Sequence, residues 1–180
     1  VSAFDRAVGV DARSSYGDVE ITNDADITVA SSNDSAAGLR ALVGGSVNYA
    51  YGEVLITNSG NIDVQAEYLA QGIVALSYYT GVEVVNSGDV TASSTSGYSQ
   101  AIAVRSATGA IISNSGTITA GSGDALAISI TGAGSVTNND GDISGGITAD
   151  DGDDFIYNNA DGRIFLTNDT IDLAGGYNYF

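Results

Sequence analysis

The figure Asn-Ser-Gly, flanked by alternating apolar residues, occurs three times: in "VLITNSGNIDVQA" at 54–66, "VEVVNSGDVTAS" at 82–93 and "AIISNSGTITA" at 110–120. Each copy reads as strand, sharp turn, strand. Units this small cannot bury a core of their own, so repeated copies must stack on one another. Anchoring on the apolar residue after the turn extends the series to Ile27, Ile62, Val90, Ile118, Ile143 and Ile164, spaced 35, 28, 28, 25 and 21 residues apart. An asparagine precedes each anchor: Asn23, Asn58, Asn86, Asn114, Asn139 and Asn159.

A second figure lies between the turns. "AQGIVALS" at 70–77 returns as "SQAIAVRS" at 99–106, "AAGLRALV" at 36–43 and "GDALAISI" at 123–130, with a fainter copy in "AVGVDARS" at 7–14. Overlaid, these segments alternate with period two, the strand signature. One column holds Val10, Leu39, Ile73, Ile102 and Leu126, and the next on the same face holds Ala12, Ala41, Ala75, Val104 and Ile128. The opposite face is mixed. No segment has apolar residues at i, i+3, i+4, and the β-branched, Ser, Gly and Asn content disfavours long helices.

The fold class expected is therefore all-β, a right-handed parallel β-helix (β-solenoid) of about six coils forming one domain over 1–180. The rival is an antiparallel sandwich or jelly roll, whose strands need not repeat one column chemistry. In the solenoid, Val84 and Val90 are core contacts. Gly60, Gly88, Gly116 and Gly141 are expected to supply positive φ at a tight corner. The asparagines are expected to stack as an amide ladder that satisfies buried corner backbone.

Composition narrows the chemistry. The chain has no His, Cys, Met, Pro or Trp, and 22 acids against five basic residues give a net charge of −17. All five basic residues are arginines, scattered along the chain at Arg6, Arg13, Arg40, Arg105 and Arg163. Such a surface repels nucleic acid and anionic lipid, and no apolar run is long enough for a membrane helix. Without Cys or His there are no disulfides, thiolate sites or imidazole ligands, and Ser-His or Ser-Lys catalysis cannot be built. Starting on valine and lacking methionine, the chain is expected to be a processed product or a fragment, and a secreted one.

The repeats "VVNSGDVTAS…QAIAVRS" and the stretch 147–180, with "GDDFIYN" and "DLAGG", resemble the passenger domains of bacterial autotransporters (type V secretion), including haemagglutinin-like adhesins. The resemblance covers most of the chain, most clearly 54–146. It implies an extracellular or surface-displayed β-helix, and because such passengers include adhesins, proteases and esterases it does not choose an activity.

The acidic turn "ADDGDDFIYNNADG" at 149–162 is the candidate ligand site. Asp150, Asp151, Asp153 and Asp154 offer the hard oxygens Ca²⁺ prefers, and they are also the only clustered carboxylates that could serve a glycosidase. The alternative is a solvated acidic turn. The ten tyrosines, with "YAY" at 49–51, "YY" at 78–79 and "YNYF" at 177–180, are expected to cover the apolar edges of coils, or else to grip a glycan or protein. Two functions follow. The first is non-catalytic: a structural or adhesive β-helix that contacts a surface receptor or glycan, or continues end to end with itself, with Tyr177, Tyr179 and Phe180 as the self-assembly end. The alternative is an extracellular carbohydrate-binding or carbohydrate-cleaving β-helix.

Overall fold

A computed structural model describes residues 1–44, 52–121, 124–166 and 169–180. All its regular elements are strands, and every pairing between them is parallel. The chain visits three sheets in rotation and returns to each one coil later, which makes a right-handed parallel β-helix. One coil shows the plan. Ile62–Ala66 lies in the first sheet, Leu69–Ser77 in the second and Val82–Asn86 in the third. The next turn repeats it with Asp89–Ser94, Tyr98–Ser106 and Ala110–Asn114.

Parallel stacking without offset brings like residues into columns. All six anchors align in the first sheet, Ile27 on Ile62, Val90, Ile118, Ile143 and Ile164. In the third sheet the column is Ile21, Ile56, Val84, Ile112, Thr137 and Ile156. Period two turns these side chains inward, and the three columns meet in one core that runs the length of the solenoid. Burial of these branched side chains is what orders strands too short to be stable alone.

In the second sheet the register differs from the overlay of sequences. Ile102 pairs with Ile128, not Leu126, and Leu126 lies beside Gln100. The full column is Val10, Leu39, Ile73, Ile102, Ile128, Ile147 and Ile171. A slip of two residues leaves the alternation unchanged, so hydrophobic pattern alone does not detect it.

The second-sheet column is buried mid-stack and opens at its first coil, whereas Ile21 and Ile156, the outer members of the third-sheet column, stay buried. Leu39, Ile73, Ile102 and Ile128 are fully buried, whereas Val10 in the first coil is 39% exposed. Among the described residues the first and last strand of each sheet pair on one side only, apart from one bridge at Tyr179.

Candidate functional site

The corner between the third and first sheets is built on asparagine. The Asn23 side-chain amide donates to Asn58 Oδ1 at 2.7 Å, Asn58 to Asn86 at 2.8 Å, Asn86 to Asn114 at 2.9 Å and Asn114 to Asn139 at 2.9 Å. The second N–H of each of these amides turns back to a carbonyl two residues on, as Asn86 does to Gly88. Every interior rung thus uses both donors and its acceptor, which is why amides fully buried at Asn58 and Asn139 are tolerated there.

The last rung is Asn158, not Asn159. Asn139 donates to Asn158 Oδ1 at 2.7 Å, and Asn158 is its register partner. The sixth corner is longer: Asn158 reaches Gly162, four residues on, instead of the usual two. Counting back from Ile164 by the common spacing therefore misses the rung.

The corner glycines do not hold positive φ. That conformation occurs at Gly44, Gly109, Gly132, Gly145 and Gly176 among the described residues. Gly60, Gly88, Gly116 and Gly141 are instead required by close approach. A Cβ on Gly88 would lie 2.2 Å from the Gly60 carbonyl oxygen, and one on Gly116 would lie 2.1 Å from that of Gly88. Corner backbones stack directly on one another, and the ladder bonds hold them there.

A second corner type uses serine. Ser77 Oγ accepts from the Thr80 N–H at 3.1 Å and Ser106 Oγ from Gly109 at 3.1 Å; Ser14 and Ser31 close similar three-residue turns. Ser77 and Ser106 are buried. A serine three residues before a Gly, Thr or Asp is the signal for these turns.

The acidic turn is drawn into the fold. Asp154 is 2% exposed, and its Oδ1 accepts from both the backbone N–H and the hydroxyl of Ser135, at 2.8 and 2.7 Å. Asp153 accepts from the Tyr177 N–H at 2.8 Å and Asp151 from the Gly175 N–H at 3.1 Å, while Asp150 is exposed. These carboxylates fasten the final coil to the one beneath it. Among the described residues no three acidic side chains converge as a metal ion needs.

The aromatic tail begins another coil. Tyr179 pairs in parallel with Phe155, its N–H donating to Asp154 O and its carbonyl accepting from the Ile156 N–H. The side chains of Tyr177, Tyr179 and Phe180 stand 85%, 67% and 69% exposed. Tyr16, Tyr68 and Tyr98 are also exposed instead of sealing coil edges, and Tyr49 and Tyr51 lie outside the described residues.

Charge pairing is sparse. Arg13 grips Asp11 through two hydrogen bonds of 2.8 and 2.7 Å, which holds the Asp11 carboxyl below the usual carboxylate range. Arg163 stands 4.0 Å from Asp142. No helix of the described residues is long and apolar enough to cross a membrane.

No family model, no curated protein and no solved structure matches the chain. What the fold and its corners define is a class: a parallel β-helix with an internal asparagine ladder.

Proposed function

We propose that this chain is a non-catalytic structural or adhesive β-helix, displayed outside the cell or on a bacterial surface, whose ends accept further coils to make a longer rod or fibre. The observation that carries this reading is the polarity of the ladder's two ends. Every rung donates toward the C-terminal end, so Asn23 Oδ1 has no donor among the described residues, and Asn158 has one amide N–H left over. An added coil meets an acceptor at one end and a donor at the other. The exposed Val10 and the unpaired sheet edges favour the same addition, since edge strands readily template new ones. The next coil comes from more of the same chain or from a second copy. Its resemblance to autotransporter passengers supports surface display, and the reading requires no calcium.

Sedimentation velocity and electron microscopy of the 180-residue chain test it. Concentration-dependent head-to-tail species, seen as rods of one solenoid's width, are expected. A monomer that persists into the millimolar range overturns self-assembly. Glu20→Pro sharpens the experiment. Val19 donates its N–H to Glu53 O in the second coil, so by alternation the Glu20 N–H faces the open end. Proline there removes an edge donor and no internal bond, and the variant is expected to remain folded and monomeric.

A further inference from the structure

The flank of the second sheet reverses the charge of the rest of the molecule. In a chain of net charge −17, Arg6, Arg40 and Arg105 line one open groove of about 290 Å³, which has no acidic side chain in its wall. No carboxylate among the described residues forms an ion pair with any of the three. Asp34 lies in the adjoining recess beside Arg6, and Asp11, the register neighbour of Arg40 on the first coil, is gripped by Arg13 through both its oxygens.

Arg40 is the most telling. Its Nε and Nη1 are buried and have no hydrogen-bond partner. Buried guanidinium donors without an acceptor are expensive, and an anionic oxygen acceptor is the partner that relieves them most. Arg105 lies two coils further on, its guanidinium carbon 4.8 Å from the centroid of the Tyr78 ring, which orients the group without neutralising it. Between them the floor is small and apolar: Val74 is the register neighbour of Arg40 on that side, and Ala103 follows Val74 on the next coil. The walls carry neutral polar groups. Gln71 donates to Gln100 at 2.8 Å, which fixes both amides and leaves the Gln100 amide donors to face an incoming molecule, and the Ser129 and Thr131 hydroxyls lie on the next coil.

We propose that this groove binds a carboxylated sugar within an acidic glycan. The carboxylate seats on Arg40 and Arg105, the ring hydroxyls pair with the Gln100 amide and the Ser129 and Thr131 hydroxyls, and a ring face rests on Val74 and Ala103. An acidic peptide also offers carboxylates, but a sugar ring crowds several hydroxyls, each both donor and acceptor, into the span of the closely spaced amide and hydroxyl groups on the wall. The molecule's net charge opposes any anion at long range. That repulsion is screened within about 8 Å at physiological salt, while the contacts in the groove are not. The proposal deepens the adhesive part of the reading above. The groove lies on the flank and not at an end, so its failure leaves end-to-end stacking untouched, and the reverse also holds.

Titration calorimetry at physiological salt with tetragalacturonate tests it, with maltotetraose, a Glu-rich hexapeptide and sodium acetate as comparators. Saturable binding of tetragalacturonate alone is expected. Arg40→Gln and Arg105→Gln should each weaken it about tenfold or more, the scale of one charged hydrogen-bond pair, and Arg163→Gln should leave it unchanged. Thr131→Asp sets a carboxylate beside Arg105 in register at an exposed position and should abolish binding without touching the core. Circular dichroism confirms that each variant is folded. Absence of binding, equal binding of the hexapeptide, or full binding by Thr131→Asp overturns the proposal.

Discussion

A single asparagine in this fold answers for three neighbours. Asn86 donates to Asn114 Oδ1 and Gly88 O and accepts from Asn58, and it is 1% exposed. Asn86→Ala would orphan all three partners, each costing about 1–3 kcal/mol when buried. A loss of roughly 3 kcal/mol by urea denaturation is expected, against a smaller loss for Asn23→Ala at the open end. Thr137 is the opposite case. It occupies the inward column of Ile112 and Ile156, is 1% exposed, and its hydroxyl has no hydrogen-bond partner. Thr137→Val keeps the shape and removes the stranded group, so a gain of about 1 kcal/mol is expected by the same measurement; a loss would mean the hydroxyl has a partner in solution. At this scale the sequence showed where Asn and Gly fall but not why the glycine is there. "NSG" tells a reader that no side chain is present. Only the stacked backbone shows that the Gly60 carbonyl occupies the place where a Gly88 Cβ would be.

At the scale of the strand, legibility depended on whether a residue had a landmark. The first-sheet anchors were alignable because each follows a turn, and Ile27 through Ile164 fall in register. The second-sheet strands carry no such landmark in the fifth copy, where "ALAISI" offers two equally good alternations two residues apart. The register places Ile128 in the core at 0% exposure and leaves Leu126 half-buried beside Gln100. The difference is measurable. Ile128→Ala should cost about 3–4 kcal/mol, the range for an isoleucine truncated in a closed core. Leu126→Ala should cost less than about half as much, because its site is open to solvent and partly refills with water. Equal costs in thermal or urea unfolding would restore the other alignment. Edge strands belong to the same scale: Val10 and Leu39 share a column, and only the missing neighbour makes one exposed and the other buried.

For the whole molecule, the proposed stacking of ends is opposed by a net charge of −17. The charge was legible in the composition, but which side chains the coils gather was not. Arg6, Arg40 and Arg105 are far apart in the chain and reach one groove only when successive coils lie about 4.8 Å apart. The acids gather toward the two ends, six within 1–26 and nine within 140–172 against one in 89–116, so two copies approaching end to end repel. Repulsion between exposed charges falls as the Debye length shrinks from about 30 Å at 0.01 M salt to about 3 Å at 1 M, while the apolar gain at the junction does not weaken. End-to-end association should therefore be slight in dilute buffer and rise steeply with sodium chloride. It should rise again as the pH is lowered toward the isoelectric point near 4.1 and the carboxylates lose their charge. Light scattering across a salt series separates this from assembly driven by ion pairs, which would weaken along the same series. A Glu20→Pro chain that scatters as strongly as the parent at high salt would show that the copies meet by their flanks and not by their strand edges.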